Sequence, residues 1–202
     1  MLYNFGRFIF AIYINVFFRF RVSGSENLPV RKPFIICANH ISWIDPITVG
    51  VAIPSRYKIY YMAKIELFKN PFVGFLLRKV GAFPIKRYEG DYVALKKSFQ
   101  ILKEGKILGL FPEGSRSQDG RLQKAHNGAA LIAVRSGVPI LPVAIEGPYR
   151  FFKPLRLHIG KPFVLPPLVY NNKEEKLNQL EDLSRQIMHN IGRLLPADGD
   201  KG

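Results

Sequence analysis

Apolar residues in this chain fall into short continuous runs and longer periodic segments. The short runs are typical of buried β-strands and occupy residues 34–38, 58–62, 81–85, 107–111, 139–145 and 155–159. Apolar residues spaced every three or four positions predict helices over 66–80, 91–103, 124–136 and 173–194, and a further helix opens near Asp45. Strands that alternate with helices predict an α/β fold with a mainly parallel mixed sheet flanked by helices.

The N-terminus is the most apolar part of the sequence. Its uncharged run of 11 residues, from 8 to 18, has apolar side chains all round a helix and is shorter than the roughly 20 residues that span a bilayer. Arg7, Arg19 and Arg21 flank the run and are placed to meet lipid headgroups. We therefore expect residues 1–22 to form a hydrophobic membrane-anchoring helix. A helix buried in the core and a signal peptide are the alternative interpretations.

The charge balance is strongly basic, and few residues suit metals or disulfides. Lys and Arg outnumber Asp and Glu by 30 to 15, a net charge of +15. This excess favours an anionic partner, which could be membrane lipid, a phosphorylated substrate, an acidic carrier protein or nucleic acid. The four histidines lack the spacing of metal ligands, so no metal site is predicted. The single cysteine, Cys37, lies in a predicted buried strand and excludes an internal disulfide.

His40 and Asp45 directly follow the strand predicted over residues 34–38. On a continuous helix they would point about 140° apart, so their side chains meet only if the chain bends at a strand-to-helix junction. A carboxylate on one imidazole nitrogen fixes the tautomer and leaves the other nitrogen free to accept a proton. A helix cap at Asp45–Pro46 is the favoured interpretation of this segment alone, and a structural core histidine is a further alternative.

A second group of polar residues follows the strand predicted over 107–111. There Gly114 allows close approach of the backbone, and Arg116 offers a forked donor that matches a phosphate. Lys86 and Arg87 form another basic pair after the strand predicted over 81–85. The sequence has no Gly-x-Ser-x-Gly elbow and no glycine-rich nucleotide loop. Direct attack by a substrate hydroxyl on an activated carbonyl therefore fits better than a covalent intermediate.

Four blocks in order resemble the glycerolipid acyltransferase family, and within it the 1-acylglycerol-3-phosphate acyltransferases. The blocks are Asn39-His40 with Asp45, then residues 81–87, 111–117 and 138–143. The resemblance implies that residues 23–202 form an acyltransferase domain. It also implies the reaction, in which an acyl group moves from a thioester to the 2-hydroxyl of lysophosphatidate and forms phosphatidate for phospholipid synthesis.

The resemblance also implies roles for single residues. His40 would be the general base on the acceptor hydroxyl, and Asp45 would orient it. Arg87 and Arg116 would bind the phosphate of the acceptor, and Lys64 is a weaker candidate for the same cluster.

The two remaining groups of residues would hold the rest of the substrates. Glu113 and Gly114 would hold the glycerol part of the acceptor. Val138, Pro139 and Ile140 belong to the block that the family links to acyl-chain binding, and on their own terms they are typical of a core strand.

The partners follow from the same resemblance. We expect no bound cofactor, acyl-CoA or acyl-acyl carrier protein as co-substrate, and an anionic membrane surface at the cytoplasmic face of the membrane. One alternative keeps the chemistry but uses another lysophospholipid or a lyso-amino-acid lipid. The other is a basic membrane- or nucleic-acid-binding protein without catalysis. No nucleic-acid-binding signature is present, so nucleic acid is not an expected partner.

Overall fold

A computed structural model describes residues 2–31, 33–86 and 92–196 of the chain. The strands are β1 Arg19–Ser23, β2 Ile35–Ala38, β3 Ile59–Lys64, β4 Ala82–Ile85, β5 Ile107–Leu110, β6 Ile140–Glu146 and β7 Pro154–Ile159. The helices are α1 Leu2–Phe17, α2 Asp45–Ala52, α3 Pro71–Val80, α4 Tyr92–Lys103, α5 Asn127–Ser136 and α6 Lys173–Gly192. Short 3₁₀ helices occupy Ser25–Asn27 and Ile65–Phe68.

The strands form one sheet in the order β1-β7-β6-β2-β5-β3-β4. The β6–β7 pair is antiparallel, and the other neighbouring pairs are parallel. The predicted α/β fold with a mainly parallel mixed sheet is therefore confirmed. Because β2 to β6 all run in one direction, their carboxyl ends share one edge of the sheet, where ligands of such folds bind.

Alternate residues of the central strands bury opposite faces of the sheet. On β2, Ile35 and Cys37 pack with side chains of α4, α5 and α6. Phe34 and Ile36 pack on the other face, with side chains of α1 and α2. Burial raises the pKa of the Cys37 thiol, which fits the expectation that Cys37 is a core residue.

The structure corrects the end of the predicted N-terminal helix, because residues 1–22 include part of the sheet. Helix α1 ends at Phe17, and Arg19–Ser23 pairs in parallel with β7. In this strand Arg19 and Arg21 are exposed while Phe20 and Val22 are partly buried. This alternation of charged and apolar residues is the period of a half-buried strand.

Two predicted helices start later than their apolar patterns suggest. The helix predicted over 66–80 is divided into a 3₁₀ turn and α3, which begins at Pro71. Asn70 caps α3, because its side-chain oxygen accepts hydrogen bonds from two backbone amides of the first turn. The helix predicted over 124–136 begins at Asn127, since the backbone N–H of His126 donates instead to the Pro112 carbonyl.

Helix α1 has an inner and an outer face. Ile14 is fully buried in the core, and the Arg7 guanidinium donates to backbone carbonyls at the end of α2. The outer face leaves large apolar side chains exposed, namely Phe5, Phe8, Ile9, Ile12 and Val16. Among the helices of the described residues, none has both the length and the apolar character needed to cross a membrane.

Candidate active site

The chain leaves β2 in a fixed direction because Asn39 is tied to the neighbouring strand. The Asn39 side chain is buried, donates to the Ile145 carbonyl at 2.9 Å and accepts from the Ile145 N–H at 2.7 Å. One residue later, the backbone N–H of His40 donates to Glu113 Oε1 at 2.9 Å. These bonds hold His40 at the carboxyl edge of the sheet.

His40 and Asp45 meet through a bend between β2 and α2, as predicted. Nδ1 of His40 lies 2.7 Å from Asp45 Oδ2. The same oxygen accepts the backbone N–H groups of Ile41 and Ser42, each at 2.7 Å. The bonded amides precede Asp45, so this carboxylate closes the bend and does not cap α2, for which no side-chain cap bond is found.

The geometry sets the tautomer of His40. An ionised carboxylate only accepts hydrogen bonds, so the proton lies on Nδ1 and the lone pair is on Nε2. The ring stacks on Phe111 with 4.2 Å between centroids, and 12% of the side chain remains exposed. Asp45 is fully buried. The pair therefore offers a proton acceptor at the surface, backed by a buried negative charge.

Tyr149 also binds Asp45, and the sequence motifs gave no sign of it. Its hydroxyl donates to Asp45 Oδ1 at 2.7 Å and lies 2.9 Å from Thr48 Oγ1. Burial and the charge of Asp45 raise the pKa of the Tyr149 hydroxyl, so it stays protonated. Tyr149 lies in the loop after β6, beyond the last matched block, and only the fold brings it to Asp45.

Glu113 braces the loops around His40. It is 2% exposed, its Oε1 accepts the N–H of His40, and its Oε2 accepts the N–H of Gln123 at 3.2 Å. Burial raises the pKa of this carboxyl, and the two amides oppose that shift. Backbone groups already bind both oxygens, so the contact with glycerol that the sequence predicts would have to add to these bonds.

Gly114 follows in a conformation that favours glycine. Its φ is +68°, and a Cβ built there would lie 2.6 Å from Cδ2 of His126. Arg116 follows two residues later and is exposed.

The basic candidates lie at or after the ends of strands that share the carboxyl edge of the sheet. Arg116 follows β5, and Lys64, also exposed, ends β3, the strand beside β5. Lys86 follows β4, the next strand. Arg87 lies outside the described residues, so its predicted role stays a prediction.

The residues predicted to bind the acyl chain are not brought to His40. Val138 and Pro139 precede β6, and Ile140 pairs with Ile35 at the start of β2. This is the amino-terminal edge of the sheet, opposite to His40. Ile140 is also fully buried in the core. The structure therefore gives these residues a place in core packing, because parallel pairing sets the start of β6 beside the start of β2.

The rings of His40, Phe111 and Tyr61 stack in a row that extends from the site over the sheet. Tyr61 stacks on Phe111 at 6.0 Å, and Phe111 stacks on His40. A Cβ at Gly109 would lie 2.2 Å from the Tyr61 ring, so glycine is what allows this ring to cover β5. Among the described residues, Tyr61 has the one buried side-chain hydroxyl without a hydrogen-bond partner. Burial raises its pKa well above the ordinary value.

Potential metal ligands do not cluster in the part of the chain that the structure describes. No group of three or more His, Cys, Asp or Glu side chains could hold a metal ion there.

The α/β fold thus places a His–Asp pair at the carboxyl edge of its sheet. The acyltransferase family model matches residues 19–146, and the chain belongs to this family. A 1-acyl-sn-glycerol-3-phosphate acyltransferase of Bacillus subtilis is 37% identical over 172 residues, covering 82% of this chain and 84% of that protein.

Two further relatives extend the comparison. The crystal structure of a 1-acyl-sn-glycerophosphate acyltransferase from Thermotoga maritima matches with a TM-score of 0.66 and 28% identity, covering 98% of this chain and 80% of that one. A lyso-ornithine lipid O-acyltransferase of Pseudomonas aeruginosa is 33% identical over 130 residues, covering 64% of this chain and 48% of that protein.

Proposed function

We propose that this protein transfers a fatty acyl group from a thioester to the 2-hydroxyl of lysophosphatidate and so forms phosphatidate. The observation that carries the proposal is the 2.7 Å bond between His40 Nδ1 and Asp45 Oδ2, which leaves Nε2 as a proton acceptor at the sheet edge. The names of the Bacillus and Thermotoga relatives support lysophosphatidate as the acceptor.

The chemistry follows from this pair. Nε2 of His40 takes the proton of the acceptor hydroxyl while the hydroxyl oxygen attacks the thioester carbonyl. The tetrahedral intermediate collapses, the C–S bond breaks, and the imidazolium returns the proton to the leaving thiolate. Asp45 stabilises the imidazolium between these steps and keeps Nε2 directed at the substrate. General-base assistance of this kind contributes roughly 10²–10⁴-fold to the rate.

The acceptor phosphate would bind beside His40 at the carboxyl edge. Lys64 ends β3, Arg116 lies in the loop after the neighbouring strand β5, and both are exposed. A guanidinium forms two charge-assisted hydrogen bonds with a phosphate, which fix both its position and its orientation. By the family resemblance, Arg87 would bind the same phosphate.

The acyl donor is acyl-CoA or acyl-acyl carrier protein. Both are strongly anionic, and the net charge of +15 suits either. Neither needs a cofactor bound to this chain, because the thioester already activates the acyl group.

The enzyme would work at the cytoplasmic surface of the membrane. The outer face of α1 exposes Phe5 and Phe8 at 62% and 63%. Phe151 and Phe152 are also exposed and lie at the end of α1, where the Phe151 ring contacts Phe17 at 5.4 Å. Aromatic side chains beside a basic body favour the interface of an anionic bilayer. At such an interface the enzyme would meet its lipid substrates.

A panel of acceptors tests the proposal. Purified protein in detergent is given each donor with lysophosphatidate or with the matching monoacylglycerol, which lacks the phosphate. We expect transfer to lysophosphatidate and little to monoacylglycerol. Arg116→Ala should raise KM for lysophosphatidate about tenfold or more, the scale of a lost charged hydrogen bond. The control Lys124→Ala removes an exposed cation paired at 3.5 Å with Glu181 and should leave KM unchanged.

A second candidate keeps the reaction and changes the acceptor to a lyso-amino-acid lipid. The Pseudomonas relative named for lyso-ornithine lipid favours it. Under this alternative, lyso-ornithine lipid is the better acceptor in the same panel.

A further inference from the structure

We propose that Tyr149 is a positioning residue that holds Asp45 in place for His40, and that the N-terminal helix supports it through Phe18. The inference rests on the proposed function, because it concerns how the same pair is kept ready for proton transfer. It gives α1 a second role, as a support of the active site as well as a membrane contact.

The hydrogen bonds of Asp45 show why Tyr149 matters. Oδ2 accepts His40 Nδ1 and two backbone amides, whereas Oδ1 faces the Tyr149 hydroxyl at 2.7 Å. A phenol has one proton, and a carboxylate accepts it more strongly than a hydroxyl does. Thr48 Oγ1, at 2.9 Å, can then donate to the phenol oxygen. Donors on both oxygens fix the carboxylate plane that orients the imidazole.

The ring of Tyr149 is held by the end of α1. It packs edge-on against Phe18, with 5.9 Å between centroids and 76° between planes. Phe18 is 4% exposed, and its backbone N–H donates to the Ile14 carbonyl at 3.0 Å. The aromatic contact therefore joins the last turn of α1 to the hydroxyl that binds Asp45.

The backbone of the loop is fastened to the same place. Phe152 N–H donates to the Phe17 carbonyl at 2.7 Å, and Arg19 N–H donates to the Lys153 carbonyl at 3.1 Å. Phe152 has φ of +63°, a left-handed conformation that a bulky residue adopts only when its surroundings impose it. The hydrogen bonds to α1 and β1 offset this strain and hold the loop that carries Tyr149 against α1.

Loss of the Tyr149 hydroxyl has a distinctive chemical consequence. Without this hydroxyl, one hydrogen bond to the Asp45 carboxylate is lost. The charge of Asp45 then interacts more strongly with protonated His40. The acidic limb of the pH–rate profile then moves to higher pH. The other ionisable groups facing this site, Glu113 and Tyr61, are unchanged by the substitution.

The test compares Tyr149→Phe with Tyr57→Phe. Tyr57 is a matched control because its hydroxyl donates to the Pro29 carbonyl, away from Asp45. In Tyr149→Phe we expect kcat to fall roughly tenfold, the scale of one hydrogen bond, with KM for both substrates unchanged and the acidic limb shifted upward. Tyr57→Phe should keep the wild-type kcat and pH profile. A folded Tyr149→Phe enzyme with wild-type kcat and pH profile would overturn the inference.

Two further measurements keep the inference testable if Tyr149→Phe does not fold or if the proposed function fails. If Tyr149→Phe does not fold, Phe18→Leu replaces it and should lower kcat roughly threefold at unchanged KM, because an aromatic pair contributes less than the hydroxyl. If wild type transfers no acyl group to lysophosphatidate, the proposed function fails. The proton NMR signal of His40 Nδ1–H then tests the inference without substrate, since Tyr149→Phe should shift it and an unmoved signal would contradict the link.

Discussion

The backbone N–H of His40 donates to Glu113 Oε1 at 2.9 Å, so the carboxylate of one matched block positions the histidine of another. The second oxygen of Glu113 accepts the N–H of Gln123, which fixes the loop that carries Arg116. Glu113 therefore joins His40 and the loop that carries Arg116 into one unit. Its family-implied contact with glycerol stays a prediction beside this structural role.

Glu113→Gln tests whether the two hydrogen bonds of Glu113 stabilise these loops. An amide offers one acceptor oxygen and turns an NH₂ group toward a backbone N–H. We expect the free energy of unfolding to fall by about 1–3 kcal/mol, the cost of an unsatisfied buried group. Denaturant unfolding measures this change. An unchanged midpoint at neutral pH would show that Glu113 does not brace the loops.

The difference in stability between wild type and Glu113→Gln should depend on pH. Burial raises the pKa of Glu113 above its ordinary value of 4.5, so the folded protein holds this proton more tightly than the unfolded chain does. The stability of wild type relative to Glu113→Gln should be greatest below pH 4.5 and should decline as the pH rises through the raised pKa. A difference that grows with pH would show that the amides outweigh burial.

Asp45→Asn keeps the shape of the site and removes its charge. The amide oxygen can still accept the backbone N–H groups, but it no longer stabilises the imidazolium. We expect kcat to fall roughly 10²–10⁴-fold with little change in melting temperature. Asp182→Asn, an exposed carboxylate paired with Arg185 on α6, is the matched control and should keep full activity. Activity of Asp45→Asn within threefold of wild type would remove Asp45 from the mechanism.

Tyr61→Phe removes the buried hydroxyl that has no partner among the described residues. Because no bond is lost, the free energy of unfolding should rise by about 1 kcal/mol while kcat is unchanged. Tyr57→Phe should instead lower it by about 1 kcal/mol, since that hydroxyl donates to Pro29. A large fall in kcat for Tyr61→Phe would mean that its hydroxyl binds substrate.

The proposed membrane contact of α1 is tested by the double variant Phe5→Ser, Phe8→Ser. Burial of each exposed ring in lipid contributes about 1.5–3 kcal/mol to the free energy of binding. Binding to vesicles of anionic phospholipid should weaken at least tenfold. Leu177→Ser, at a 47% exposed position of α6, is the control. Equal binding by the double variant and wild type would exclude this face as the contact.

Local patterns were enough to predict most of the sheet. The strands around Ile36, Leu108 and Leu141 are fully buried apolar runs, and such runs are visible in a sequence. The bend that joins His40 to Asp45 also follows from local geometry, because five residues cannot bring two side chains together on a helix. The strand at Arg19–Ser23 was missed because the apolar segment before it dominated the interpretation.

Contacts between distant residues could not be predicted in the same way. Tyr149 reaches Asp45 across 104 positions, through the pairing of β6 with β2. The same pairing carries Ile140 to the edge opposite His40, although its block follows the site blocks in sequence. Glu113 has a family motif, but its two bonds to backbone amides depend on loops that no local pattern describes.

The most direct test of the account is phosphatidate formation from lysophosphatidate by wild type and His40→Ala, with acyl-CoA and acyl-acyl carrier protein as donors. Mass spectrometry identifies the product, and melting temperatures confirm that both proteins are folded. We predict that wild type forms phosphatidate with at least one donor and that His40→Ala is slower by at least roughly 10²-fold. A folded His40→Ala enzyme that works at the wild-type rate, or a folded wild type that forms no phosphatidate with either donor, would contradict the account.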